Sequence, residues 1–371
     1  MTVGATGDPK CLTMGPYAYD IPDANPYTPG LPTEPPLKAK NVNAFIVKRM
    51  SSMESPNLFF SKNLSDFVRL SDYYPEREYN WLHNEIMTWK LKDGLTCQGI
   101  LYKPENFDTA KRYPVIIYYY EKLSDQLHVF MEPGLSRGPI NIPWFVSRGY
   151  LVFTPDIHYK SGELGESACN TVVSAAHFLS TYSFVDSRHM AIQGHSLGGY
   201  ETNYIVTHSN IFSAAISAAG MSDCISDFGG LWGMGASKEG SYESIWGPQA
   251  TVWEQPELFI RNSPIFMANK VVTPLLMMHN KNDGNVPFGQ SIELFTALRH
   301  LGKRVWLLQY DGEAHTIGAD VAAFDYTLRV NQFLDHYLKG LPAPKWMTEG
   351  IAANRKGSDL GLELDRPEVK P

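Results

Sequence analysis

Residues 190–200 read MAIQGHSLGGY, an apolar stretch followed by a serine between glycines and then by a helical run. The first four residues have the length and composition of a buried strand. A Gly-x-Ser-x-Gly spacing at a strand-to-helix junction is typical of a turn too tight for side chains, which holds the serine hydroxyl above the sheet edge. The stretch predicts that Ser196 is a nucleophile, against the alternative of a glycine-rich turn with a bystander serine.

Outward from this turn, short apolar strands alternate with helical periodicity from Pro114 onward. The strand candidates are residues 115–120, 150–154, 189–193, 214–219, 272–278 and 305–309. Apolar residues at i, i+3, i+4 and i+7 indicate a helix around 172–179, and further helices are predicted over 291–301 and 321–339. This alternation predicts an α/β fold class, with a mostly parallel sheet covered by helices on both faces. The segment 221–262, rich in Gly, Trp and Ser, is predicted as an insertion above the sheet edge.

The composition changes sharply once along the chain. Eight of the 25 prolines fall in residues 1–40, which predicts an irregular arm, since proline cannot continue a helix or a central strand. Residues 41–80 hold short extended pieces typical of a small antiparallel sheet. The α/β domain is then assigned to 81–347, opening on a hairpin over 85–102, and 348–371 to a C-terminal tail.

Composition and charge exclude several classes of protein. The 371 residues are 43% hydrophobic and 19% charged, which excludes a disordered chain. The net charge of -7, with no basic run, predicts no nucleic-acid binding. Apolar runs stay well short of the roughly 18 residues that cross a bilayer, so no membrane insertion is predicted. The four cysteines are far apart, which favours free thiols over a zinc site and leaves one disulfide open.

A serine nucleophile needs a histidine base, and the histidine needs a carboxylate to orient it. Asp283 lies in a loop just past the predicted strand 272–278, and His315 lies just past the predicted strand 305–309. Each alone is more often a surface residue. The order Ser, Asp, His and the strand-end positions, which belong to one edge of a parallel sheet, predict a catalytic triad with Ser196.

Three ordered motifs carry a resemblance to a known family. They are Gly194–Tyr200, Asp283–Pro287 with Gln290, and Gly312–His315. Together they resemble the catalytic domain of the prolyl oligopeptidase family of serine peptidases (S9), especially its dipeptidyl-peptidase-like and bacterial members. The similarity covers about 85–347 and implies the α/β-hydrolase fold.

The same resemblance bears on the residues before the catalytic domain. Residues 43–79 look like the end of the β-propeller that precedes this domain in the family. The remainder of such a propeller is missing from the sequence, which fits a fragment, a recombinant piece or a shortened natural relative.

The resemblance assigns roles residue by residue. Ser196 would be the nucleophile, His315 the general base and then acid, and Asp283 the orienting carboxylate. The implied reaction is hydrolysis of short peptides through an acyl-enzyme, of the oligopeptidase or dipeptidyl aminopeptidase type. A carboxylesterase or deacetylase on the same fold is the alternative, because triad chemistry does not distinguish an ester from an amide.

An oxyanion hole needs two donors aimed at the charge that develops in the transition state. The backbone N–H of Leu197 is one candidate. In the family a tyrosine hydroxyl at a strand end is commonly the second, which points to Tyr120. The chain departs from the family there, because Glu121 and Lys122 follow the tyrosine where relatives often have Gly-Gly or Ala-Gly.

Substrate contacts and partners are expectations of the same kind. Asn285 and Val286 match the loop after the aspartate that approaches substrate in the family. Aromatic residues of the insertion could line a pocket or pack a core: Phe228, Trp232, Tyr242 and Trp246.

The histidines His128, His158 and His195 suggest a metal site, but no metal-binding spacing is present, so neither metal nor cofactor is predicted. The expected partner is a peptide substrate, and homodimerisation is an expectation from the family. Residues 1–10 lack the pattern of a secretory signal, yet many bacterial relatives are exported, so localisation stays open.

Overall fold

The computed structural model describes residues 11–13, 15–19, 36–247 and 250–365. Most of the predicted proline-rich arm, and the last six residues of the predicted tail, lie outside the described residues. The chain forms a small antiparallel sheet followed by a large α/β unit.

The small sheet is built around one hairpin. Its five strands are β1 (Ala18–Tyr19), β2 (Leu37–Lys38), β3 (Phe45–Ser51), β4 (Glu54–Ser61) and β5 (Val68–Arg69). All pairs are antiparallel, and β1 and β2 both pair with β3. The sheet is tied to the α/β unit by the indole of Trp81, which donates to the Ser52 carbonyl at 2.9 Å.

The large sheet has eight strands: β6 (Leu82–Lys90), β7 (Thr96–Pro104), β8 (Tyr113–Tyr119), β9 (Leu151–Pro155), β10 (Val185–His195), β11 (Ala214–Ala218), β12 (Leu275–Met278) and β13 (Val305–Leu308). Their order is β13-β12-β11-β10-β8-β9-β7-β6. Strands β8 to β13 pair in parallel, whereas β7 is antiparallel to β9 and forms with β6 the predicted hairpin. The predicted fold class is confirmed.

Nine α-helices connect or cover the strands in the described residues: α1 (Ile142–Val146), α2 (Leu164–Leu179), α3 (Leu197–His208), α4 (Cys224–Phe228), α5 (Glu239–Trp246), α6 (Pro256–Arg261), α7 (Gly289–His300), α8 (Asp320–Lys339) and α9 (Lys345–Thr348). Short 3-10 turns span Pro75–Glu78, Ser124–Gln126, Pro264–Lys270 and Ala353–Arg355. None of the helices in the described segments is long and apolar enough to cross a bilayer.

The predicted strand at 272–278 is clearly shorter in the structure. The sequence predicts 272–278, but β12 begins only at Leu275. Pro274 precedes it and has no N–H to give to the ladder, and Val272 is exposed. The apolar run therefore marks the approach to the strand as well as the strand itself.

The sheet separates two apolar cores, and alternate side chains of β8 enter each. Ile116 and Tyr118 join the core formed with α1 and α8. Val115 and Ile117 join the core formed with α2 and α7. A sheet buried on both faces fixes the strand ends, and those ends position the candidate site.

Gly99→Ala is expected to destabilise the protein by about 1–3 kcal/mol through overpacking. A Cβ on this β7 glycine would lie 2.7 Å from the Phe153 ring and 2.8 Å from the Thr154 carbonyl oxygen. Urea unfolding measures the change. Gly289→Ala is the matched control, because no atom lies within 4 Å of its added Cβ, and it should gain up to about 1 kcal/mol. Equal stability of Gly99→Ala and wild type would contradict this account of the β7–β9 contact.

Candidate active site

Ser196 occupies the turn between β10 and α3 with φ 60° and ψ -116°, a backbone conformation that non-glycine residues rarely adopt. Its N–H donates to the Ala218 carbonyl at 2.8 Å. A Cβ at Gly194 would lie 2.0 Å from the Gly198 carbonyl oxygen, and a Cβ at Gly198 would lie 2.5 Å from the Tyr119 carbonyl oxygen. Only glycine fits these positions, so the spacing in the sequence is a packing requirement of the turn.

Asp283 and His315 are brought together from the loops after β12 and β13. His315 Nδ1 lies 2.7 Å from Asp283 Oδ2. The aspartate side chain is fully buried, while that of His315 is 15% exposed. Asp283 Oδ1 accepts the backbone N–H groups of Asn285 at 2.8 Å and Val286 at 2.9 Å.

The electrostatics of Asp283 favour its ionised form. Burial alone would raise the pKa of this carboxyl, but hydrogen bonds from His279 and His315 outweigh it and hold the pKa well below its usual range. The carboxylate is therefore ionised and faces His315.

His279 is a site residue that the sequence analysis missed. It is fully buried, and its Nε2 lies 3.1 Å from Asp283 Oδ2 and 3.0 Å from the Val286 carbonyl oxygen. Both neighbours accept hydrogen bonds, so Nε2 carries the proton. Nδ1 lies 2.7 Å from the hydroxyl of Ser291. A polar residue directly after a buried strand was the available signal.

His195 precedes the candidate nucleophile and lies against the candidate base. Its Nε2 donates to the His315 carbonyl oxygen at 3.0 Å, and the two imidazole centroids are 4.7 Å apart. Burial chiefly, with the neighbouring His315, lowers the pKa of His195 to about 4. His195 is therefore a neutral ring that supports the His315 backbone.

The two predicted oxyanion donors both lie near Ser196. Leu197 is the first residue of α3, so its N–H has no acceptor within the helix. Tyr120 follows the end of β8, and its half-buried side chain lies beside that of Ser196. Burial raises the pKa of the Tyr120 hydroxyl, so it is a proton donor at neutral pH. The structure thus brings Ser196 and Tyr120 together, and His315 and Asp283 together.

The predicted substrate-binding residues differ in their surroundings. Asn285 is exposed and Val286 is half-buried, and both hold Asp283 through their backbone. Three aromatic residues of the insertion are buried in one core cluster, which favours the packing interpretation: Phe228, Tyr242 and Trp246. Trp232 is half-buried instead, with the Lys238 ammonium 4.8 Å from its ring centroid.

Within the described ranges, no group of three or more His, Cys, Asp or Glu side chains is placed to hold a metal ion.

The site and the sheet that carries it define an α/β-hydrolase. The family model of the prolyl oligopeptidase family matches residues 138–341, more than half of the chain. The chain therefore belongs to the prolyl oligopeptidase family of serine peptidases, peptidase S9.

The relatives with curated names share low sequence identity with this chain and are longer than it. The chain is 26% identical over 251 residues to the uncharacterized peptidase YuxL of Bacillus subtilis, covering 65% of this chain and 36% of the relative. It is 25% identical over 322 residues to dipeptidyl peptidase 8 of Homo sapiens, covering 81% of this chain and 33% of the relative. The chain thus spans about a third of the length of these relatives.

Solved structures share the fold at low identity. A putative dipeptidyl aminopeptidase IV from Bacteroides ovatus matches with TM-score 0.65 and 20% identity, covering 82% of this chain and 43% of that one. An acylaminoacyl peptidase of Pyrococcus horikoshii matches with TM-score 0.64 and 21% identity, covering 80% of this chain and 48% of that one. These likenesses confirm the architecture.

His195→Gln is expected to reduce the loss of stability at acid pH. The unfolded chain binds a proton at His195 near pH 6.5, whereas the folded protein does so only near pH 4. The free energy of unfolding therefore falls as the pH drops through this interval, with a contribution of about 3 kcal/mol from His195. Glutamine cannot titrate, so the His195→Gln variant lacks this contribution to the pH dependence of the free energy of unfolding.

Urea unfolding from about pH 7.5 to about pH 4 measures this difference. His177→Gln, an exposed histidine on α2, is the control and should keep the wild-type profile. Identical profiles for wild type and His195→Gln would contradict the buried neutral state of His195.

Proposed function

We propose that the chain is the catalytic part of a serine peptidase that hydrolyses short peptides through Ser196, His315 and Asp283. The observation that carries the proposal is the 2.7 Å contact between His315 Nδ1 and the buried Asp283 carboxylate, at the sheet edge that also carries the strained Ser196 turn. Ser, Asp and His in this order, each just past the end of a parallel strand, match what acyl transfer requires.

The proposed reaction begins at His315. With its Nδ1 proton directed to Asp283, its Nε2 is left as the base. His315 takes the hydroxyl proton of Ser196 as Oγ attacks the scissile carbonyl carbon, and the imidazolium formed is stabilised by the Asp283 carboxylate. The same proton is then given to the leaving amine, and the acyl-serine ester remains. Water, deprotonated by His315, hydrolyses this ester and restores the serine.

The negative charge on the carbonyl oxygen is met by two donors in this proposal, the Leu197 N–H and the Tyr120 hydroxyl. Both are supported by fixed elements, since Leu197 opens α3 and Tyr120 directly follows β8. Donors already in place at the developing charge need no reorganisation during the reaction. Asn285 and Val286 are proposed to contact the bound peptide, because their loop lies beside the proposed base.

The peptide class is inferred from relatives. Several have names that include dipeptidyl peptidase. We therefore expect a dipeptidyl or short oligopeptide substrate for this chain. An esterase activity without peptidase activity is the outcome that would replace this proposal.

Ser196→Ala is expected to abolish the hydrolysis of dipeptidyl anilides. Loss of the nucleophile removes the acyl-enzyme route and should lower kcat by about 10,000-fold or more. The assay compares X-Pro and X-Ala anilides with a short-chain p-nitrophenyl ester. Ser187→Ala, an exposed serine of the same strand β10, is the matched control and should be as active as wild type.

The two substrate classes separate the alternatives. Anilide cleavage that is lost only in Ser196→Ala supports the peptidase and ranks its residue preference. Ester cleavage alone would identify an esterase. Anilide cleavage retained in Ser196→Ala would overturn the proposed nucleophile.

Asp283→Asn is expected to lower kcat by about 10,000-fold while the fold is kept. The amide cannot hold the tautomer of His315 that leaves Nε2 free, and it carries no charge to stabilise the imidazolium. Steady-state kinetics with the best anilide measure the loss. Asp311→Asn, an exposed aspartate in the loop after β13, should be as active as wild type. A loss below tenfold in Asp283→Asn would remove Asp283 from the proposed triad.

A further inference from the structure

Glu201 is a buried carboxyl that the proposed mechanism does not use. It lies on α3, one turn after the elbow, and its side chain has no exposed surface. Oε1 is hydrogen-bonded to the hydroxyl of Tyr159. Oε2 is buried and has no hydrogen-bond partner among the described residues. A carboxylate in such a place would keep an unpaired charge away from water, which is costly.

The hydrogen bonds of Tyr159 decide where the proton lies. Its hydroxyl is 2.7 Å from the Tyr120 carbonyl oxygen and also contacts Glu201 Oε1. A tyrosine hydroxyl has one proton, and a carbonyl oxygen can only accept. If Tyr159 donates to Tyr120, its contact with Glu201 is satisfied only when Glu201 is protonated and donates to the tyrosine oxygen. The chain of donors then runs from Glu201 to Tyr159 to the Tyr120 carbonyl.

Within the part of the chain that the structure describes, no cation is among the groups that act on Glu201. Burial raises the pKa of Glu201 well above its usual range, the nearby Glu121 acts in the same direction, and only the bond from Tyr159 opposes them. The titratable groups with a resolved electrostatic interaction with Glu201 among the described residues include Tyr119, Tyr120, Tyr159, Tyr200 and Glu121. None of these groups is positively charged at neutral pH, so the protonated acid is the form that fits the site.

The backbone at Tyr120 needs the support that this arrangement gives. The β8–β10 register ends at Tyr119 and the β8–β9 register ends at Ile117, so Tyr120 lies just past both ladders. Tyr159 is the hydrogen-bond donor to its carbonyl oxygen. On the other side, the Tyr120 Cα is 3.8 Å from where a Cβ of Gly198 would lie, which places the tyrosine against the elbow.

We propose that Glu201 is a neutral hydrogen-bond donor which, through Tyr159, fixes the backbone of Tyr120 and so aims the Tyr120 hydroxyl at the oxyanion. Glu201 and Tyr159 are positioning residues, since neither touches the reacting atoms. The proposal rests on the proposed function for the role of Tyr120 and on the contacts above for the proton. A donor held within a fraction of an ångström is worth far more to the transition state than a mobile one.

Tyr159→Phe is the first test, made on the full chain with the anilide or ester that wild type hydrolyses. We expect kcat to fall by about 10- to 100-fold, with KM within about threefold of wild type. Tyr119→Phe is the matched control: it also removes a buried tyrosine hydroxyl, one that is 2.8 Å from Thr202 Oγ1, but it does not touch Tyr120 through that group. Equal kcat values for the two variants would overturn the proposal.

A double-mutant cycle with Tyr120→Phe tests whether Tyr159 acts through Tyr120. The double variant Tyr159→Phe/Tyr120→Phe should be no slower than Tyr120→Phe alone, because the hydroxyl to be aimed is already gone. Additive losses would show that Tyr159 acts by another route and would overturn the proposal. Thermal unfolding of the single variants is measured alongside the kinetics. If Tyr159 had a purely structural role, Tyr159→Phe and a control variant with the same loss of stability would have equal kcat values.

The proton on Glu201 has its own measurement. The infrared difference spectrum between wild type and Glu201→Gln should contain the C=O band of a protonated carboxylic acid, and this band should persist at about pH 8. Glu201→Gln keeps a donor towards Tyr159 and should keep kcat within about threefold, whereas Glu201→Leu should match Tyr159→Phe. A carboxylate band at that pH would overturn the neutral donor.

Failure of this proposal and failure of the proposed function give different results. If wild type hydrolyses neither substrate class and Ser196 does not react with a fluorophosphonate, the proposed function fails, while the infrared band still reports on Glu201. If wild type is active and labelled but Tyr159→Phe equals Tyr119→Phe, only the positioning role fails.

Discussion

The tight turn at Ser196 is the constraint on which the rest of the structure depends. Its positive φ angle and the close approach of Gly194 to Gly198 leave no room for side chains. The turn is held because β10 lies in the middle of the sheet, between β8 and β11. Two buried cores hold those strands from both faces, so the cost of the strained residue is met by packing far from it.

The buried Asp283 carboxylate imposes the second constraint, because a charge out of water must be surrounded by donors. Two backbone N–H groups and two imidazoles supply them. This explains why the loop after β12 is shaped around the aspartate and why His279 is buried beneath it. One imidazole, His279, is fixed by Ser291, whereas His315 keeps an exposed edge. The two histidines share an acceptor, and of the two only His315 has an exposed side-chain edge.

The sequence predicted the features that depend on local pattern. Apolar runs identified the strands and the glycine spacing identified the elbow, because strand length and turn tightness act on neighbouring residues. Strand-end position was enough to pair Asp283 with His315. Tyr159 and Glu201 could not be found this way, since they lie 42 positions apart and meet only through the packing of a loop on α3. Strand bounds show a related limit. The apolar run predicted a strand from 272, whereas β12 begins directly after Pro274, which has no N–H to pair in the sheet.

The proposals together describe a site in which the buried Asp283 carboxylate lies near neutral buried groups. His195, next to Ser196, is neutral because it is buried. Glu201, one helical turn beyond, is neutral in this proposal because the single hydroxyl proton of Tyr159 is donated to the Tyr120 carbonyl, so Glu201 must supply the proton of its own contact with Tyr159. Asp283 is then the ionised group in contact with His315. In a poorly solvated site, the field of a lone carboxylate favours a positive imidazole more than it would in water. If Ser196 reacts as proposed, the imidazolium that forms is stabilised, while the neutral groups around the serine leave the oxyanion to its two donors. Neutral buried acids and bases would thus be as necessary to this site as the charged one.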